Sequence, residues 1–282
     1  MAGGAGGLAV IRAREAHRPA IEALLGACLE RAMFPLANLA AYGMAGGHER
    51  AMTFWMDADA PAAILGVTDE GMAMPVWADG FDAVRLAPAL AGRTLIGCAG
   101  PAGPVRALLR AAGLAGAPCR LDADEPQFAL DLDALAMPGG GGALAPLSRD
   151  REEALRWRLA YEAELHVGTA EPARAARAVD GWIAADSHRF LILDGAPVAM
   201  TGFNAALPDI VQVGGVYVPP PLRGRGHARR AVALHLAQAR DRGVRRATLF
   251  AAGAAAVRAY AALGFRRIGD YALVLFDGAV PA

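Results

Sequence analysis

Val216-Tyr217-Val218-Pro219-Pro220-Pro221-Leu222-Arg223-Gly224-Arg225-Gly226-His227-Ala228-Arg229-Arg230 is the stretch on which the reading of this chain turns. An apolar strand runs into a proline-stiffened turn, then a glycine-rich loop, then a helix. That order presents free backbone N–H groups to an anion, and the helix dipole adds a favourable field. Gly224 and Gly226 have no Cβ, so a phosphate can approach the backbone closely. Arg223, Arg225, Arg229 and Arg230 add positive charge. The loop is not a Walker loop, because no Gly-Lys-Ser/Thr follows it. Nor is it a full Gly-x-Gly-x-x-Gly, since Arg229 stands three residues after Gly226. By itself the loop reads as an anion site or as a solvated loop of two residue types common in this chain.

Working outward, the segments around the loop alternate strand and helix. Phe190–Leu193 and Pro197–Asn204 flank Asp194-Gly195, a pair that supports a tight hairpin turn. Gln212–Val218 is the strand before the loop and Gly226–Asp241 the helix after it. Ala247–Phe250 reads as a strand, Ala254–Leu263 as a helix closed by Gly264, and Tyr271–Phe276 as a last strand. Upstream, Arg151–Glu164 and Pro172–Ala185 read as helices.

The first half repeats the order more faintly. His17–Ala32 carries Ile21, Leu24, Leu25, Cys28 and Leu29 at helical spacing, and Pro35–Tyr42 is a shorter helix closed by Gly43. Thr53–Met56, Ala62–Val67 and Gly71–Val76 read as sequential antiparallel strands. Leu95–Ala99 is a buried strand, Pro104–Ala112 a helix and Phe128–Leu132 a strand. The run Pro138-Gly139-Gly140-Gly141-Gly142 is the preferred linker, because glycine runs lose most entropy on ordering. It predicts domains at 1–137 and 145–282 joined by a linker at 138–144, and the shared order suggests an internal duplication. A smaller break falls at Met44-Ala45-Gly46-Gly47.

Composition bounds the function classes. The chain has 282 residues, 55% of them hydrophobic but only 6% aromatic. Lys+Arg and Asp+Glu balance at 28 each, so no global attraction to nucleic acid or to a membrane is expected. Cys28, Cys98 and Cys119 are scattered and no Cys/His cluster appears, which predicts neither a disulfide framework nor a metal site and fits a reducing cytoplasm. The Gly/Ala-rich start lacks a basic region followed by an apolar core and reads as a tail rather than a targeting signal. No apolar run approaches the roughly 20 residues that span a bilayer.

Arg223-x-x-Gly226-x-Ala228, after the strand Gly215-Val216-Tyr217-Val218-Pro219, resembles motif A of the GNAT N-acetyltransferase superfamily. Val257-Arg258-Ala259-Tyr260-Ala261-Ala262-Leu263-Gly264-Phe265 resembles its motif B. The resemblance covers about residues 145–278; the first half matches no motif and looks like the degenerate N-terminal domain of two-domain members. It implies an α/β (α+β) fold of tandem GNAT-like domains, each a mixed, mostly antiparallel sheet flanked by helices. It also implies transfer of an acetyl group from acetyl-CoA to a primary amine by direct attack, without a metal. The Val216 N–H would face the thioester carbonyl, with Tyr217 and Val218 extending the donor-binding strand. Arg223, Gly224, Arg225, Gly226, His227, Ala228 and Arg229 would hold the pyrophosphate. Tyr260 matches the tyrosine that protonates the leaving thiolate.

Two positions depart from the family. Gly253 stands where many members have an Asn that contacts CoA. Gln212 stands near the position of a general-base Glu in some members, and it cannot take a proton. Candidate bases are Glu164, then Glu162 and His166, at the end of the first helical region; the alternative is an exposed helix face. Asn204 is a candidate substrate contact by position, whereas Trp157 and Trp182 read as core. The expected acceptor is a small-molecule amine or amino acid, and the expected assembly a monomer or homodimer. Two alternatives stay open: a non-catalytic acyl-CoA sensor, favoured by Gln212 and Gly253, and a transferase with another acyl donor, favoured by the small residues at Gly214–Gly215 and Ala251–Ala256.

Overall fold

A computed structural model describes residues 10–57, 62–167 and 171–282. The Gly/Ala-rich start read above as a tail lies outside the described residues. The chain runs β1 (Val10–Arg12), α1 (Arg18–Ala27), α2 (Met33–Tyr42), β2 (Met52–Asp57), β3 (Ala63–Thr68), β4 (Met72–Trp77), β5 (Thr94–Pro101), α3 (Ala102–Ala111) and β6 (Cys119–Asp131). It continues through β7 (Ala143–Pro146), α4 (Arg151–Leu165), α5 (Pro172–Ala184), β8 (His188–Leu193), β9 (Ala196–Leu207), β10 (Ile210–Tyr217), α6 (His227–Asp241), β11 (Arg246–Phe250), α7 (Gly253–Ala261) and β12 (Arg266–Pro281).

Contacts divide the chain into two compact units, one of residues 1–125 with 270–282 and the other of residues 126–269. This differs from the division expected at the glycine run. Residues 138–142 lie inside the second unit, where the Arg230 guanidinium donates to the Pro138 carbonyl at 2.6 Å. The boundary instead falls within two strands. The second half of β6 pairs with β11 in the second unit, and β12 pairs with β5 in the first. Each unit therefore closes its sheet with the last strand of the other half of the sequence. Glycine content marks where a chain bends easily; it does not say which edge a later strand will pair with.

The first unit has strand order β1-β2-β3-β4-β5-β12. β2, β3 and β4 form an antiparallel meander, as the three short apolar runs predicted. Every residue of β3 is buried, because both faces of the sheet are covered. Ile64 turns to a cluster with Ile21, Leu25 and Leu39 of α1 and α2, and Leu65 turns to Val105 and Leu108 of α3. Each fully buried side chain of this kind contributes roughly 1.5–3 kcal/mol.

The second unit has strand order β6-β11-β10-β9-β8-β7. The β8–β9 hairpin turns at Asp194 and Gly195, with φ of 51° and 82°. Two consecutive positive φ values are what a two-residue turn needs to match the strand twist. On one sheet face, α6 sets Val232 and Leu236 against Val211 and Val213. On the other, α4 and α5 bring Trp157 and Val179 onto Phe190, Met200 and Tyr217. Trp157 is core, as expected from the sequence.

Candidate active site

The site is built around the C-terminal half of β10. β10 and β11 are parallel and in register only over Ile210–Gln212 and Arg246–Thr248. Beyond Gln212 the ladder stops, and the rest of β10 has no partner strand on that side. On its other side, the register with β9 steps from Gly214↔Gly202 to Tyr217↔Met200. Gly215 and Val216 thus occupy a bulge, and Gly215 has φ of 60°. A bulge turns its peptide groups out of the ladder and re-aims what they carry.

The chain then passes through a short 3-10 turn at Pro220–Leu222 into the glycine loop. Gly224 and Gly226 have φ of 77° and 80°, a region that glycine enters without strain. A Cβ at Gly224 would meet no atom within 4 Å, and one at Gly226 only the Arg229 Nη2 at 3.9 Å. The backbone is therefore open to a ligand at both positions. Gly226 is the N-cap of α6 and no side chain caps this helix. The first-turn N–H groups of His227, Ala228 and Arg229 are those that an α-helix leaves without internal acceptors. An uncapped 15-residue helix behind two open glycines suits a phosphate or pyrophosphate.

Three side chains link the loop to α4. The Arg223 Nη2 lies 2.6 Å from Glu164 Oε2, and its Nε donates to the Val218 carbonyl at 2.8 Å. The Tyr217 hydroxyl donates to Glu164 Oε1 at 3.2 Å. Burial, with the Glu164 carboxylate as second cause, pushes the Tyr217 phenol up. Two sequence expectations change here. Arg223 faces Glu164 and the carbonyl of Val218, just past β10, rather than the loop, and that carbonyl is engaged by the arginine.

The other candidate bases separate. Glu162 is buried and paired with Arg158 at 2.5 Å, so it belongs to the packing of α4. His166 is the exposed, left-handed C-cap of α4. Tyr260 is half-buried on α7, edge-on to Phe265 with ring centroids 6.0 Å apart. Tyr260 and Val216 both pack against the cluster formed by β10, β11 and α6. Gln212 is buried and its Oε1 has no hydrogen-bond partner. Asn204 is exposed and its amide covers Gly214.

Sequence reasoning missed His188. It is 1% exposed, stacks on Trp182 at 3.9 Å and shares a 2.9 Å hydrogen bond between its Nδ1 and the Ser187 hydroxyl. Burial holds its pKa well below the ordinary value, with His235, Arg158 and Arg189 adding to the effect. The only sequence trace of its place is the pair of glycines at 202 and 215.

Among the described residues, no group of three or more His, Cys, Asp or Glu side chains could hold a metal ion. No helix among them is long and apolar enough to cross a membrane. Burial pushes the Cys98 thiol up to about 12, so it is not a nucleophile near neutrality.

A parallel strand pair that parts midway is followed by an uncapped helix behind a glycine loop, an arrangement suited to binding an anion. Residues 153–265 match the family model described as "Acetyltransferase (GNAT) family", so the second unit is a GNAT domain. Among solved structures, the chain is similar to a GCN5-related N-acetyltransferase from Sphaerobacter thermophilus. That match has a TM-score of 0.59 at 20% identity and covers 94% of each chain. A GNAT-family acetyltransferase from Colwellia psychrerythraea matches at TM-score 0.55 and 13% identity, covering 95% of this chain and 99% of that one. A tandem GNAT protein from the clavulanic acid biosynthesis pathway matches at TM-score 0.53 and 18% identity, covering 97% and 99%. Across 97% of its residues the chain therefore has the fold of a tandem GNAT protein. No match was found among curated proteins.

Proposed function

We propose that the second unit transfers an acetyl group from acetyl-CoA to the primary amine of a small molecule or amino acid. The observation that carries this is the parting of β10 from β11 after Gln212, directly ahead of the open Gly224–Gly226 loop. Acetyl-CoA supplies an activated thioester and a pyrophosphate. The backbone N–H groups of Gly224 to Arg229 hold the pyrophosphate, and the arginines at 225 and 229 add charge. The free edge of Val216, Tyr217 and Val218 takes the pantetheine amides as an added strand would, through the N–H groups, since Arg223 holds the Val218 carbonyl.

The acceptor amine attacks the thioester carbonyl carbon. The Val216 N–H meets the negative charge that develops on the carbonyl oxygen. The C–S bond breaks as the Tyr260 hydroxyl gives its proton to the departing sulfur. The Glu164 carboxylate receives the amine proton, directly or through water, and Arg223 and Tyr217 hold that carboxylate in place. The enzyme would act as a monomer or homodimer.

A release assay for free CoA thiol across a panel of amines tests this reading. Thiol release above the solvent rate with at least one primary amine is the expected result. Tight acetyl-CoA binding with no release on any amine would favour a sensor instead, the reading that Gln212 in place of a base also supports.

A further inference from the structure

We propose that His188 is a positioning residue for the oxyanion donor: its ring reaches across β9 and holds the β10 bulge that presents the Val216 N–H. The inference rests on the transferase reading above, because it concerns the group that meets the carbonyl oxygen.

His188 lies on β8, two strands away from β10. It pairs with Gly202 on β9, and Gly202 pairs with Gly214 on β10. A Cβ at Gly202 would lie 2.0 Å from the imidazole Cδ2, so the ring occupies the space of a missing side chain. It extends further, since a Cβ at Gly215 would lie 2.7 Å from Nε2. One flat ring thus passes over one strand and rests on the bulge of the next. Only glycine at both 202 and 215 permits this.

The ring is held from two sides. Trp182 stacks on it with an interplanar angle of 12°, and the Arg158 guanidinium lies 4.9 Å from the same indole. The Ser187 hydroxyl fixes the ring at Nδ1. That hydroxyl also reaches the Trp182 carbonyl at 3.5 Å. If it donates there, it accepts from Nδ1–H, and Nε2 is left as a bare lone pair directed at Gly215. Nε2 is buried with no hydrogen-bond partner.

A buried nitrogen without a partner is costly, and an apolar side chain would avoid that penalty. A bare nitrogen has one property an aromatic C–H lacks: no hydrogen projects from it. The Gly215 Cα can therefore come close, with a weak C–H···N contact as the only directional term. Gly215 immediately precedes Val216, and both stand outside the β9 and β11 registers. Whatever sets the Gly215 backbone sets the direction of the Val216 N–H. An oxyanion donor is sensitive to displacements well under 1 Å, so a rigid backing for that peptide has a direct chemical effect.

The test compares the Val216 amide resonance in protein saturated with CoA and with acetyl-CoA, in the wild type and in His188→Ala, His188→Phe and Gly202→Ala. Calorimetry gives the acetyl-CoA Kd of each, and thermal unfolding shows which variants are folded. In the wild type the amide is expected to move downfield with acetyl-CoA relative to CoA. In each folded variant Kd should stay within about threefold, because the pyrophosphate site is untouched, while the acetyl-dependent shift falls to less than half. His188→Phe carries the same prediction if His188→Ala does not fold, since its ring puts a C–H where the bare nitrogen stood. A merely structural histidine would lower the unfolding temperature and leave the shift intact; that result in any folded variant overturns the proposal. A wild type that does not bind acetyl-CoA overturns the donor reading, and this inference with it. A wild type that binds acetyl-CoA but shows no Val216 difference overturns the oxyanion role alone.

Discussion

The two units share an order of elements but differ at one connection. In the first unit β4 and β5 are parallel and in register only over Met72–Ala73 and Gly97–Cys98, much as β10 and β11 are in the second. There the likeness ends. Pro75 has no N–H to offer, and Gly100 comes so close that a Cβ would sit 3.0 Å from the Pro75 carbonyl. The first pair stays in contact where the second parts. The connection after β4 forms two short 3-10 turns, at Ala83–Arg85 and Ala87–Leu90, in place of a long helix. The Asp82 carboxylate accepts from the Val84 N–H at 3.0 Å. The first unit thus caps this turn with its own carboxylate, where the second leaves Gly226 uncapped.

The interiors differ as well. Of the buried polar side chains among the described residues, Thr53 and Thr68 lie in the first unit. Gln127, Glu162, His188, Arg189, Thr201, Gln212, His235 and Thr248 all lie in the second. Buried polar groups oppose stability unless they are satisfied. They are concentrated in the unit with the open strand edge.

Substituting matched glycines tests this comparison most directly. Gly226→Asp puts a carboxylate and a strained left-handed side chain at the pyrophosphate, and should weaken acetyl-CoA binding at least about 100-fold, or about 2.7 kcal/mol. Gly80→Asp makes the same change in the β4–β5 connection, at φ of 87° with no atom within 4 Å of the new Cβ. It should leave the affinity within about twofold, because no donor site is expected there. Equal losses by calorimetry would show that both units bind the donor.

Tyr260→Phe comes next. Turnover should fall about 100-fold with acetyl-CoA Kd unchanged, as expected for loss of a general acid. Unchanged turnover would remove Tyr260 from that role.

Acid sensitivity should divide the units too. Burial lowers the pKa of His188 far below 6.5, and burial with nearby Arg189 and Arg242 lowers that of His235 to about 3. Both are neutral in the folded state, while the unfolded chain binds protons below about pH 6.5. Stability is therefore full above that pH and falls as the pH drops toward the folded values, by up to about 1.4 kcal/mol per pH unit for each histidine. Hydrogen exchange at pH 7 and pH 5 should show β8 and α6 losing protection more than β3. His235→Leu should flatten that dependence. Equal loss in both units would dissociate acid sensitivity from these histidines.

The smallest effect is expected at Arg223 and Glu164. Their pair is 47% and 40% exposed, so Arg223→Ala should change unfolding stability by less than about 1 kcal/mol. A larger change by chemical denaturation would mean that the link between loop and α4 is structural.

Most elements of the second unit were legible in the sequence, because their signals are local. Asp194-Gly195 predicts its turn and Gly264 its helix end. β1 and β7 were missed; each is short and edge-bound, with few apolar residues to reveal it. β6 and β12 were read as short strands but run through Cys119–Asp131 and Arg266–Pro281, because one apolar face guides each only in part. Glu164 is a candidate from its place on a helix end alone, and nothing local shows that Arg223 and Tyr217 converge on it. His188 left only the glycines at 202 and 215 as a trace, since its contacts come from strands and helices separated along the chain.

The sequence by itself determined the glycine loop, the helix behind it and the strand ahead of it. Backbone freedom, proline and helix periodicity act over a few residues and can be read there. Tertiary structure alone decided three things: which sheet edge each last strand completes, that β10 leaves β11 after Gln212 while β4 stays against β5, and that an imidazole crosses β9 to rest on Gly215. Each depends on pairing or packing between residues distant in sequence. A local pattern records what a segment can form and carries no information about which surface will meet it.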